Sequence, residues 1–178
     1  MLKCIGVETA EVRLPEHLEY TDGLIIPGGE STTIGKLAIQ FNLMDPIKHF
    51  GQTHAIWGTC AGAILLASKI QHKQPLLKLM DISIERNAFG RQVDSFESDI
   101  IVPALESPQL PFPGVFIRAP IIERTGKSVD VLACLPVDHE RPEHIVAAQQ
   151  GRLLATSFHP ELTNDDRFHR YFLNLVEG

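Results

Sequence analysis

Cysteine is scarce in this sequence and shows no pattern. Cys4, Cys60 and Cys134 are odd in number, widely spaced and form no C-x-x-C pair. That argues against a disulfide framework or a zinc site and fits a reducing, cytoplasmic setting. No run approaches the roughly 18 consecutive apolar residues of a membrane span, and the N-terminus lacks the apolar stretch of a signal peptide. Positive charge is not in surplus: 16 Lys and Arg against 22 Asp and Glu leave a net charge of -6, which gives no support to a nucleic-acid or anionic-membrane partner. Internal repeats, low-complexity segments and a G-x-x-x-x-G-K-S/T phosphate loop are all absent. What is present is an ordinary globular composition, 44% hydrophobic and 21% charged over 178 residues. The expectation is a single soluble domain, 1–178, with a sizeable core.

The stretch that organises the chain is Trp57-Gly58-Thr59-Cys60-Ala61-Gly62-Ala63. His54–Trp57 reads as a buried strand, and the alanine- and leucine-rich run 61–70 as a helix ending near Lys69–Gln74, before Pro75. A cysteine between two glycines at a strand-to-helix corner can occupy a tight turn that pushes its side chain out of the sheet edge. A helix start favours the negatively charged, nucleophilic form of sulfur. The plainer reading is a buried structural cysteine, and this stretch alone leaves the two evenly matched.

Upstream, Leu2–Val7 reads either as a strand or as the tail of a helix capped by Gly6, and Thr9–Arg13 as an edge strand. Leu14–Leu18 is a connector or one helical turn opened by Pro15. Leu24-Ile25-Ile26 is a strand core followed at once by Pro27-Gly28-Gly29-Glu30-Ser31-Thr32-Thr33. Ser31 or Thr32 can cap the helix whose apolar positions are Ile34, Leu37, Ala38 and Phe41. The glycine pair is a plain turn, or an oxyanion pocket at the carboxyl end of a strand, where open α/β sheets hold ligands. Downstream, Asp81–Glu85 alternates as a half-exposed strand. Arg86 and Arg91 follow, ordinary surface charges or bidentate partners for a substrate carboxylate. Gly114–Pro120, Ser128–Cys134, His144–Gln149 and Leu153–Phe158 are closely spaced strands forming an antiparallel or mixed meander. In His159-Pro160-Glu161 the proline keeps His159 extended, so Glu161 lies on the same side and can orient its ring. A surface turn is the plainer reading of the tripeptide. The last helix, opened by Asp165 and Asp166, packs through Phe168, Phe172, Leu175 and Val176, with His169 facing solvent.

Taken together, elbow, glycine pocket and His-x-Glu supply the attacker, the oxyanion donors and the acid/base pair of acyl transfer. Gly58–Gly62 and His159–Glu161 resemble the Gly-x-Cys-x-Gly elbow and His-x-Glu pair of the class I (triad) glutamine amidotransferases. Within that class Pro27–Thr33, Glu85–Glu97, Phe116–Pro120 and Ser157–Thr163 are similar to the glutaminase subunit of pyridoxal 5'-phosphate synthase. The resemblance runs over nearly the whole chain, with Glu85–Glu97 its most specific part. It implies a three-layer, flavodoxin-like α/β fold and hydrolysis of L-glutamine to glutamate and ammonia, which passes to a partner synthase (lyase) subunit in a large hetero-oligomer. It also implies Cys60, His159 and Glu161 as the triad and backbone N–H groups at Gly29 and Ala61 as the oxyanion hole. Gly29, Glu30, Ser31, Arg86, Ile117 and Arg118 fall on the family's glutamine-binding positions. No metal or organic cofactor is required for these steps.

One departure stands out. The family pattern opens with a strand, a Leu-Gln-Gly loop and a helix ahead of Leu2–Arg13, so the expected fold lacks the first strand and most of the first helix, with Met1 falling inside that helix. Two rivals follow: a glutaminase of another pathway, against which Arg86–Glu97 and Phe116–Pro120 argue, and a truncated docking module without a competent pocket.

Overall fold

The computed structural model describes residues 1–86, 95–135 and 143–178. Its main sheet runs in the order β1 (Gly23–Ile26), β2 (Ala55–Thr59), β10 (Leu153–Thr156), β9 (His144–Gln150), β7 (Ile121–Thr125), β4 (Met80–Glu85) and β3 (Ala67–Ile70), with β8 (Asp130–Leu135) pairing β9. A separate hairpin joins β5 (Ser95–Ile100) to β6 (Phe112–Ile117).

The strands that carry the site are parallel. Gly23–Ile26 runs beside Ala55–Gly58, and Leu153–Thr156 beside Ile56–Thr59. Both faces of these strands are covered, which explains their unbroken apolar sequences. Leu24, Ile26, Ile56, Leu153 and Ala155 point to one side, where α1 (Ser31–Gln40), α2 (Met44–Phe50) and α3 (Ala61–Leu66) pack. Ala55, Trp57 and Leu154 point to the other, onto Phe168 and Phe172 of α4 (Arg167–Glu177) and Phe112 and Phe116 of the hairpin. This is the layered α/β architecture expected, and the meander is present as antiparallel pairs β7–β9, β8–β9 and β9–β10.

Local expectations are decided between their alternatives or corrected. Residues 2–5 form a 3-10 turn closed by Gly6 at φ 83°, the capped-helix alternative. Thr9–Arg13 forms no strand, while Pro15–Tyr20 is a 3-10 helix. The helix after Cys60 ends at Leu66, because from Ala67 the backbone pairs in parallel with β4 and exchanges helical hydrogen bonds for sheet bonds. The cap of α1 is Glu30, whose carboxylate takes the N–H groups of Thr32 and Thr33 at 3.0 and 2.7 Å. Asp166 stands at the N-cap of α4 without a side-chain capping bond. His169 is buried at 5% exposure, its ring edge-on to Trp57 at 5.1 Å.

Candidate active site

Parallel registry brings three loops to one edge of the sheet. β1 ends at Ile26 and runs into Pro27-Gly28-Gly29, β2 ends at Thr59 and runs into Cys60, and β10 ends at Thr156 and runs into Ser157–Glu161. Open α/β sheets place their ligands at such an edge. The Cys60 N–H donates to the Thr156 carbonyl at 2.8 Å, which ties the elbow to the strand leading to His159.

Cys60 has φ 47° and ψ -103°, an unfavourable backbone for a residue with a side chain. Glycines make the turn possible. A Cβ on Gly58 would lie 2.4 Å from the Gly62 carbonyl carbon, and one on Gly62 would lie 1.9 Å from the Ile26 oxygen. The elbow therefore closes only on bare backbone at both positions. Cys60 is buried, with Sγ 3.9 Å from the Ile117 carbonyl oxygen of β6.

His159 Nδ1 is 2.8 Å from Glu161 Oε1. That leaves Nε2 as the ring nitrogen free to serve Cys60, which raises the basicity of the ring. Two further contacts hold the residue: its backbone N–H donates to the Val115 carbonyl at 2.8 Å, and the ring packs on Gly28, where a Cβ would lie 2.4 Å from His159 Cε1. The Cys60 hydrogen bond, then that of Glu161, pushes the His159 pKa up to about 10 against the opposing effect of burial. The ring thus carries its proton through the neutral range. For Glu161, burial raises the pKa, but the His159 hydrogen bond and charge outweigh it and the net direction is down.

Beside the triad, the side chain of Glu30 meets Arg86 across 3.3 Å. Ser31 is buried at the start of α1. Gly29 has φ 137°, a conformation that favours glycine, and Ala61 is the buried first residue of α3. Ile117 ends β6 against Cys60, and Arg118 follows it with φ 45°. The structure thus places Cys60, His159 and Glu161 on loops at one edge of the sheet and Glu30, Ser31 and Arg86 together at the start of α1, while Arg91 lies outside the described residues with 87–94 of the Glu85–Glu97 motif. Among the described residues no three His, Cys, Asp or Glu side chains are placed to hold a metal ion. Two contributors escaped the sequence reading. Gly28 packs on the imidazole, and Gln74, in a segment without periodicity, bonds Ser31, Thr32 and Arg86.

A mixed α/β sheet that brings an elbow cysteine and a His-Glu pair to the ends of neighbouring parallel strands has the architecture of a glutamine amidotransferase. The family model described as SNO glutamine amidotransferase matches residues 1–178, and the chain belongs to that family. It is 57% identical over 180 residues to the pyridoxal 5'-phosphate synthase subunit PdxT of Herpetosiphon aurantiacus, covering 98% of this chain and 91% of the relative. The subunit of the same name from Pelotomaculum thermopropionicum is 55% identical over 175 residues, covering 97% and 85%. A crystal structure of a glutamine amidotransferase superposes with a TM-score of 0.88 at 49% identity, covering 99% of this chain and 90% of that one. The glutaminase domain of Trypanosoma brucei CTPS shares the fold alone, with a TM-score of 0.54 at 12% identity over 92% and 74% of the two chains.

Proposed function

We propose that this chain is the glutaminase subunit of a pyridoxal 5'-phosphate synthase, a single amidotransferase domain working in the cytoplasm with a synthase subunit that consumes its ammonia. The observation that carries the reading is the strained Cys60 elbow, tied at 2.8 Å to the strand that leads into a His159 held by Glu161 at 2.8 Å.

In the mechanism, the Cys60 sulfur adds to the side-chain carboxamide carbon of L-glutamine, and the carbonyl oxygen takes up negative charge. Backbone N–H groups at Gly29 and Ala61 are the donors assigned to that oxygen. His159 gives its proton to the amide nitrogen, the C–N bond breaks, and ammonia leaves a thioester on Cys60. His159, now neutral, takes a proton from water as the oxygen attacks the thioester carbon. The C–S bond then breaks, glutamate departs, and sulfur and protonated imidazole return to their starting states. Glu161 holds the ring in the tautomer both steps need and stabilises its charge. The Arg86 guanidinium and the Glu30–Ser31 corner bind the amino-acid end of glutamine, with Ile117 at the end of β6 and Arg118 just after it closing the pocket.

The test is ammonia release from glutamine with the synthase subunit present. Cys60→Ala is expected to lower kcat by about a thousandfold or more, as nucleophile removal does elsewhere. Unchanged release in Cys60→Ala rejects the assignment. Background release by the parent chain while it still binds the synthase replaces the enzyme reading with that of a docking module.

A further inference from the structure

Gln74 lies between β3 and β4, outside every motif described above, yet its side chain reaches the first turn of α1. Its Oε1 accepts from the Ser31 hydroxyl at 3.1 Å, the Thr32 hydroxyl at 3.4 Å and Arg86 Nη1 at 3.3 Å. Arg86 completes the network by donating through Nη2 to Glu30 at 3.3 Å and through Nη1 to Thr32 at 3.5 Å. A guanidinium only donates, so the amide oxygen of Gln74 must face it. The amide nitrogen then points the other way, and Gln74 Nε2 is buried with no hydrogen-bond partner among the described residues. The oxygen, on which three donors converge, is the end that makes the contacts. The next residue anchors the segment: a Cβ on Gly35 of α1 would lie 3.0 Å from the Pro75 Cβ, so the proline ring already packs on the helix there.

We infer that Gln74 is a positioning residue of the glutamine site, its amide oxygen fixing the Arg86 guanidinium against the start of α1 so that it meets the amino-acid carboxylate in one place. Gln74 acts through Arg86. The inference rests on the reading of Arg86 as a substrate-binding residue. Arg86 has a long, rotamer-rich side chain that remains 28% exposed. Holding it before substrate arrives removes an ordering cost from binding. The carboxylate is distant from the scissile amide and is bound alike in ground and transition states, so the effect falls on KM and not on kcat.

The experiment measures glutaminase kinetics with the synthase subunit present in Gln74→Met, Gln74→Glu and Arg86→Met, with thermal melts confirming that each variant is folded. Methionine matches the length of glutamine but has no oxygen, whereas glutamate keeps the acceptor. Gln74→Met is expected to raise KM for glutamine about tenfold with kcat within about twofold, and Gln74→Glu to stay within about threefold of the parent KM. If Gln74→Met does not fold, Gln74→Asn, whose oxygen falls one methylene short of Arg86, is expected to show the same rise. An equal KM rise in Gln74→Glu, or a loss of kcat at unchanged KM, overturns the inference. If Arg86→Met leaves KM unchanged, the substrate-binding reading itself falls. If Arg86→Met raises KM and the oxygen-deficient Gln74 variants do not, the Gln74 inference alone falls.

Discussion

His159 is held by unlike forces on every side, and together they set its charge. Glu161 bonds Nδ1, Cys60 raises the basicity of the ring, Val115 anchors the backbone, and Gly28 leaves no room for a Cβ against the ring. With its side chain 13% exposed, water does little to weaken these contacts. The folded pKa is raised from 6.5 to about 10. The resulting stabilisation is therefore fully present below pH 6.5 and is lost as pH rises through about 10. Following the imidazole by NMR should give a midpoint near 10 in the parent, a lower one in Glu161→Gln and a still lower one in Cys60→Ala, because the Cys60 bond is the largest cause. A midpoint unmoved by Cys60→Ala would exclude the Cys60 bond as that cause.

At the scale of elements, α1 shows how one side chain serves both helix and site. The Thr33 hydroxyl, then the N–H groups of Thr32 and Thr33, lower the Glu30 pKa to about 2 from an ordinary 4.5. The cap's contribution is thus present above pH 4.5 and lost as pH falls through about 2. Glu30→Ala should cost about 1 kcal/mol at neutral pH, as lost N-caps do. In urea titrations its deficit against the parent should shrink between pH 4.5 and 2; a deficit independent of pH would show that charge is not what the cap contributes. Sequence periodicity placed α1 correctly but not its cap, since Ser31 and Thr32 are stronger N-cap types than glutamate by composition alone. The hydroxyl of Ser31 is instead drawn to Gln74, 43 residues away. Long-range contacts account for the other differences. Ala67–Ile70 has helix-forming neighbours but finds β4 beside it, and His169 follows the buried Phe168 into the space beside Trp57. The strained Cys60 turn and the His159–Glu161 contact were legible because each carries its geometry within a few residues. The place of Gln74 between Arg86 and Ser31 was not, because that contact joins segments 12 and 43 residues apart.

Across the whole molecule, the site depends on a hairpin outside the main sheet being clamped to the final helix. β6 supplies the Ile117 carbonyl near Cys60 and the Val115 carbonyl that fixes His159. Arg167, the first residue of α4, holds the chain entering that strand. Its guanidinium donates to the carbonyls of Glu106, Ser107, Leu110 and Pro111, at 3.3, 3.4, 2.8 and 2.9 Å. It also pairs with Asp165 at 2.6 Å and lies over the Phe112 ring at 5.9 Å. No lysine reproduces this, because an ammonium is a point donor without the planar fork that spans four carbonyls and a carboxylate. Several carbonyls at the loop would lose their partner while positive charge was conserved. Arg167→Lys should therefore lower stability by about 1–3 kcal/mol, read as a reduced urea midpoint at unchanged slope. Because the hairpin carries both contacts to the triad, glutaminase kcat should fall as well, and Asp165→Asn, which removes one charged partner but leaves the carbonyl bonds, should have the smaller effect on both. An Arg167→Lys protein within about 0.5 kcal/mol of the parent, the range of an ordinary surface site, would mean that the aromatic packing of Phe112, Phe158 and Phe168 holds the hairpin in place without the clamp.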